Sequence, residues 1–398
     1  MRIIRALALA TTLAAGVLAA VPANAASDAG LAHRRVCVPK PSVASCRSEL
    51  VTRADGVTPR ATVNYSSGLR PADLQSAYSI NPSGAPGSGP IIAIVDAYDN
   101  PNAEADLNVY REQFGLGACT TDNGCFTKVN QSGGSTPPAG DVGWGQEIAL
   151  DLDMASAICP QCKLLLVEGT TASLGNLATA VDRAVTLGAV AVSNSYGMTS
   201  EASSWITTYG PHYNHPGIAI TVSSGDSGYG ISFPDDLATV IAVGGTNLKK
   251  DSAGNWTETV WKGAGSGCSS YVAQPSWQKA ISAITKVCSR RVSADVSAVA
   301  DPNTGVAVYD SYGSSGGANW LVFGGTSASA PIIAAAAAAA GHHDWNGANR
   351  IYAASASAFH DVTSGINGSS CRKTLLCQAR VGYDGPTGRG TPKGLSGF

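Results

Sequence analysis

Charge is scarce in this chain. Only 14% of its 398 residues are Asp, Glu, Lys or Arg, and the formal net charge is -2, against roughly 25% charged residues in an average soluble protein. With so little charge and no excess of one sign, the composition argues against a nucleic-acid partner. Few charges also mean little self-repulsion when carboxylates take up protons, which suits an acidic setting. Histidine is scarcer still: six residues, His33, His212, His215, His342, His343 and His360, none in a motif that marks a catalytic base. His342 and His343 end an alanine run, where an imidazolium would complement the negative pole of a helix. Beyond the first 25 residues no segment is long and apolar enough to span a membrane. No repeat or long linker divides residues 69–398, which are expected to form one large domain.

The N-terminus carries Arg2 and Arg5, an apolar run from Ala6 to Ala20, and Pro22-Ala23-Asn24-Ala25 with A-x-A spacing. This pattern reads as a secretory signal cleaved after Ala25, so the mature protein is expected to be extracellular, free of the membrane and monomeric. Ten cysteines in an exported chain should be oxidised. They fall as close neighbours, Cys37 with Cys46, Cys119 with Cys125, Cys159 with Cys162, Cys268 with Cys288 and Cys371 with Cys377, and local pairing is expected. Cys159-Pro160-Gln161-Cys162 has the spacing of a redox or zinc motif, but no second pair or histidine lies near it, which favours a small disulfide loop.

Residues 26–68 are polar and weakly patterned and read as a short pro-segment or N-terminal arm. From Leu69 onward, strand-like runs alternate with helical patterns. Ile91 to Asp96, Lys163 to Glu168, Ala189 to Ser193 and Gly217 to Ser223 read as strands, while Ala103 to Phe114, Gly143 to Ile158 and Leu174 to Leu187 read as helices. This βαβ rhythm implies an α/β fold, a mostly parallel sheet with helices on both faces and functional loops at the carboxyl ends of the strands.

Three motifs carry chemistry. In Gly324-Gly325-Thr326-Ser327-Ala328-Ser329-Ala330-Pro331 a serine sits on a small-residue turn between an apolar strand, Trp320 to Phe323, and an apolar helix. Glycines there let the chain turn and let a carbonyl approach, and the helix start favours negative charge near Ser327. The bland alternative is a turn packed for steric reasons. In Gly143 to Met154, Glu147 and Asp151 share one helical face. Two like charges there repel unless they share a proton, in which case the pair titrates as a unit and serves as a base in acid; two solvated surface acids are the other reading. In Val222-Ser223-Ser224-Gly225-Asp226-Ser227-Gly228 an acid follows a buried strand, where a protonated Asp226 would donate to an oxyanion, unless it merely closes an Asx-turn. Gly225-Asp226-Ser227-Gly228 also matches the tetrapeptide around the chymotrypsin-like nucleophile, but the all-β pattern and histidine motif of that class are missing.

These pieces resemble the sedolisin family, serine-carboxyl peptidases with a subtilisin-like fold, from about Leu69 to Phe398. The shared motifs are E-x-x-x-D at Glu147 to Asp151, S-S-G-D at Ser223 to Asp226 and G-T-S-A-S-A-P at Gly325 to Pro331, in the family's order. The resemblance implies Ser327 as nucleophile, Glu147 as general base, Asp151 as the acid that orients it and Asp226 as oxyanion donor, in a secreted acid endopeptidase acting on protein or peptide substrates. It also implies one structural calcium ion near the C-terminus, held by Asp361, Val362, Arg380, Gly382 and Asp384. Ser193-Asn194-Ser195-Tyr196-Gly197 is similar to the segment that pairs with substrate backbone in subtilisin-like enzymes. Two departures stand out: the arm is far shorter than the family's pro-domain, and cysteine pairs are more numerous. Asp96, at the position of the subtilisin aspartate, receives no catalytic role. An esterase would show a G-x-S-x-G elbow, which no serine here has, and a catalytically silent secreted binding protein on the same scaffold is the alternative.

Overall fold

The alternation of strands and helices builds an eight-stranded sheet. In the computed structural model, which describes residues 30–314, 317–368, 371 and 374–398, the early strands are β1 (Leu31–Arg35), β2 (Ser45–Cys46), β3 (Glu49–Arg53), β4 (Ile91–Ala97), β5 (Phe126–Asn130), β6 (Lys163–Gly169), β7 (Ala191–Asn194) and β8 (Tyr196–Gly197). They are followed by β9 (Ala219–Ser223), β10 (Ile241–Lys250), β11 (Trp256–Val260), β12 (Gly267–Ala273), β13 (Arg290–Ser293), β14 (Val296–Val299), β15 (Val306–Tyr309) and β16 (Trp320–Gly324). The main sheet runs β11-β10-β9-β7-β4-β6-β5, with β14 also beside β10. Every pairing in it is parallel except β10 with β11. The signal segment 1–25 lies outside the described residues.

The helices are α1 (Pro71–Ala77), α2 (Ala103–Gln113), α3 (Val142–Ile158), α4 (Leu174–Thr186), α5 (Ser203–Tyr209), α6 (Ser276–Lys279), α7 (Ser282–Thr285) and α8 (Thr326–Ala340). Because successive strand side chains point to opposite faces, β4 feeds two cores. Ile92 and Ile94 join Ile148 and Leu152 of α3 and Ile332 and Ile333 of α8. Ala93, Val95 and Ala97 join Leu177, Ala178 and Val181 of α4 on the other face. Each fully buried aliphatic side chain contributes about 1.5–3 kcal/mol. The alanines Ala334 to Ala338 of α8 are all buried, and their small side chains let α8 lie directly against β7, β9, β14 and α3.

All five expected disulfides form, including Cys159–Cys162. The Trp320 strand is present but belongs to a separate antiparallel sheet of order β1-β3-β16-β15. The arm is thereby more structured than its weak pattern suggests: β1 and β3 form a hairpin, and β3 hydrogen-bonds to β16 beside the turn that leads to Ser327. No helix of the described residues is long and apolar enough to cross a membrane.

Candidate active site

Gly325 turns the chain from β16 into α8 at φ 97°, where only glycine sits without strain. A Cβ there would collide with the Arg47 carbonyl oxygen and stand 2.8 Å from Asp226 Oδ2 and from Ser48 Cα. The glycine thus lets the Arg47 backbone approach closely beside Ser327, the second residue of α8. Pro331 has no N–H, so the Ser327 carbonyl loses its helical donor. The Ser195 hydroxyl lies 3.3 Å from that carbonyl and donates at 2.8 Å to Asp151 Oδ1.

Glu147 and Asp151 sit one turn apart in α3, both fully buried. Nearly every residue of α3 from Trp144 on is buried, so the surface-helix reading falls away. Burial is the first cause that pushes both carboxyls up. The hydroxyls of Ser327 and Ser48 favour the charged form of Glu147, and Glu147 in turn raises Asp151. Neither Glu147 oxygen closes a hydrogen bond of ordinary geometry, so those hydroxyls act from just outside it. Asp96 joins the pair: it is buried, both its oxygens lack a partner, and after burial its pKa is raised by Asp151 and Glu147. With Asp151 and Glu147 raising Asp96, and Glu147 raising Asp151, the protonation of each carboxyl in this dry region depends on that of the others.

Asp226 follows β9. Its Oδ1 accepts from the Thr326 N–H at 2.9 Å and the Thr326 hydroxyl at 2.7 Å. Oδ2 has no partner and faces the same space beside Gly325 as the Arg47 carbonyl oxygen. Burial, then Glu49, lifts the Asp226 pKa to about 7, so below neutrality it is an acid with a proton to donate. The adjacent Ser227 of the chymotrypsin-like tetrapeptide accepts from Arg35 at 2.8 Å and is no nucleophile partner of any histidine. His212 and His215 both bond Asp182, and no histidine among the described residues bonds Ser327. His342 and His343 follow the αL cap Gly341, which ends α8.

The N-terminal arm lies across this site. β2 pairs antiparallel with β8, Cys46 opposite Tyr196 and Ser45 opposite Gly197. The segment expected to pair with substrate backbone therefore pairs with the chain itself. The Arg47 N–H donates to Ser195 O at 3.0 Å and stands 3.0 Å from Ser327 Oγ. The Arg47 carbonyl accepts from the Ser327 N–H at 2.9 Å. Ser327 Oγ donates to Ser195 O at 3.1 Å. The Arg47 side chain is 6% exposed, and its guanidinium reaches Ser223 O, Ser232 Oγ, Met198 O at 3.3 Å and Asp235 Oδ1 at 3.4 Å. Burial pushes Asp235 up and the guanidinium pulls it back. Arg47, Ser48, Ser232 and Asp235 carry no sequence signal that marks them, because their roles arise only from the path of the arm. Asp96 had one, its place near the carboxyl end of a buried strand.

At the C-terminus, Asp361 Oδ2 accepts from the Gly382 N–H at 2.8 Å, and the buried Asp384 accepts from Arg380 N at 2.9 Å and Thr387 N at 3.0 Å. The two carboxylates are thus held on one turn, and the carbonyls of Val362, Arg380 and Gly382 accept no backbone hydrogen bond among the described residues. Two carboxylates with spare carbonyls fit a hard oxygen-binding cation, although no group of three or more His, Cys, Asp or Glu among the described residues surrounds such a point.

Residues 129–360, more than half of the chain, match the family model described as "Subtilase family". Sedolisin of Pseudomonas sp. (strain 101) is 34% identical over 207 residues, 44% of this chain and 33% of that protein. Xanthomonalisin of Xanthomonas sp. (strain T-22) is 29% identical over 297 residues, 67% of this chain and 34% of that protein. The chain thus spans about a third of the length of these curated relatives. Among solved structures, Pseudomonas sedolisin, a serine-carboxyl proteinase complexed with two molecules of pseudo-iodotyrostatin, superposes with a TM-score of 0.67 at 24% identity, covering 83% of this chain and 96% of that one. That likeness shows the fold, and with the family match it closes the argument: the chain belongs to the subtilase family, in its sedolisin group.

Proposed function

We propose that the chain is a secreted serine-type endopeptidase that works in acid. The observation that carries this reading is the buried chain of groups behind Ser327. Its hydroxyl favours the charged form of Glu147, Glu147 raises Asp151, and Ser195 ties Asp151 to the Ser327 carbonyl. Ser327 Oγ attacks a peptide carbonyl while Glu147 takes its proton and passes it to the leaving amine. Asp151 orients Glu147 and shares the remaining proton with it. Asp226, protonated, and the Ser327 N–H receive the oxyanion. Burial raises both carboxyls, and Glu147 ionises before Asp151 because the hydroxyls of Ser327 and Ser48 favour its charge. The N-terminal signal pattern and the five disulfides support export.

We also infer that Asp361 and Asp384, with the carbonyls of Val362, Arg380 and Gly382, hold calcium, which would pin the C-terminal tail by neutralising two nearby carboxylates.

The test is hydrolysis of a mixed peptide library from pH 2 to 8 by wild type and Ser327→Ala. Wild type is expected to show a bell-shaped profile centred below neutral pH, and the variant none. Peptide cleavage by the variant at the wild-type rate, or turnover at pH 8 with none at pH 4, refutes the reading.

A further inference from the structure

The arm does more than cover the site. Residues 45–50 cross it in the register a substrate would need: the strand before Arg47 pairs with β8, the Arg47 N–H meets Ser195 O, the Arg47 carbonyl meets the Ser327 N–H, and the chain beyond Ser48 continues as a strand beside β16. The bond laid against the nucleophile is therefore Arg47–Ser48. The side chain on its acyl side fills a pocket in which the guanidinium ends among acceptors. One guanidinium nitrogen meets Ser223 O and Asp235, the other Ser232 Oγ, Met198 O and Asp235. Asp235 is fully buried, its Oδ2 has no partner, and Ser232 donates to its Oδ1 at 2.6 Å. Gly197 completes the pocket by what it lacks, since a Cβ there would run into the guanidinium. A planar fork of donors suits acceptors spread over this arc, whereas an ammonium reaches fewer of them from one point. An apolar side chain would leave the same acceptors buried and unpaired.

We propose that this cleft selects an arginine on the acyl side of the bond it cuts, and that Arg47–Ser48 of the chain's own arm is such a bond, holding the cleft closed until it is cut. The proposal rests on the peptidase reading and adds its substrate class. In the cut, a bond forms between Ser327 Oγ and the Arg47 carbonyl carbon, the bond from that carbon to the Ser48 nitrogen breaks, and the Ser327 proton passes through Glu147 to the new Ser48 amine. Water then adds its hydroxyl to the Arg47 acyl carbon as the bond from that carbon to Ser327 Oγ breaks, and its proton passes to Ser327 Oγ. Cys37–Cys46 lies wholly on the released side, so nothing covalent then ties the segment before Ser48 to the rest of the chain. Release is still opposed by the β1–β3 pairing and by Arg35, which bonds Asp226 O and Ser227 Oγ.

Three measurements on the full chain test this. After transfer to pH 4, intact-mass and N-terminal analysis should show a new terminus at Ser48 in wild type and none in Ser327→Ala. A first cut elsewhere in the arm, or an arm left whole while added peptides are cleaved, overturns the assignment of the bond. In a peptide panel differing only in the residue before the cut, arginine should exceed leucine and glutamate in kcat/KM by about 100-fold or more, with lysine between. Equal rates with Ser327→Ala inactive overturn the selectivity and leave the peptidase reading standing, whereas no cleavage of any peptide by any form of the chain defeats that reading too. Independently of catalysis, Arg47→Ala vacates the pocket. Millimolar ethylguanidinium should then raise its Tm, with no such rise in wild type or with ethylammonium at equal concentration. Absence of that rise refutes the pocket whatever the peptidase assays show.

Discussion

Removing the charge from one half-buried acid should change how stability depends on pH. Asp226 is half-buried, its Oδ2 is shielded from solvent, and its pKa rises from 3.8 to about 7 on folding. A carboxyl raised in this way contributes fully below its unfolded pKa and loses its contribution as pH climbs toward the folded value. Between pH 4 and 7 nearly all of a shift of about three units is traversed, and at about 1.4 kcal/mol per unit the fold should lose roughly 3 kcal/mol from this group. At about 2 °C per kcal/mol for a large domain, Tm should drop by about 6 °C from this cause alone. Asp226→Asn keeps an acceptor for the Thr326 N–H and hydroxyl and cannot ionise. Compared in a Ser327→Ala background, to exclude self-digestion, the Asn chain should match its parent near pH 4 and melt about 6 °C higher at pH 7. Thermal unfolding by circular dichroism at one scan rate gives the comparison. Parallel curves from pH 4 to 7 would show that Asp226 is not held protonated, and the assignment of its free oxygen as a donor would fall with it.

Two further outcomes follow from the local geometry. Gly325→Ala adds a Cβ at φ 97° against the Arg47 carbonyl oxygen, so it should cost about 3 kcal/mol in denaturant titration and abolish peptide hydrolysis; a wild-type midpoint would mean the approach is not as close as described. Chelation with EDTA should lower the Tm of wild type and leave that of Asp361→Asn/Asp384→Asn unchanged, and an equal drop in both would show that calcium binds elsewhere.

The parallel sheet was legible because buried strands such as Ile91 to Val95 read as continuous apolar runs between amphipathic helices. Strand and helix limits shifted by only a residue or two, as where the helix expected from Gly143 begins at Val142. The five disulfides were legible too, because each pair is a close neighbour in sequence. The arm was not. Its apolar positions are few, and although β3 pairs with the nearby β1, what docks this hairpin is β16, more than 270 residues away in sequence, which no local pattern encodes.

What the amino-acid order determined by itself is the local chemistry. Gly325 before Thr326 and Ser327 makes the turn, a four-residue interval puts Glu147 and Asp151 on one helical face, and Pro331 strips the Ser327 carbonyl of its donor. Each of these acts over one turn of chain, where backbone geometry leaves little choice. Only the tertiary structure decided the surroundings: that α3 is enclosed around Glu147 and Asp151, so these acids are pushed up rather than solvated, that Asp96 lies within their field, and that Arg47 enters a pocket ending at Asp235. Burial and field depend on which distant segments exclude water, and that is a property of the assembled fold.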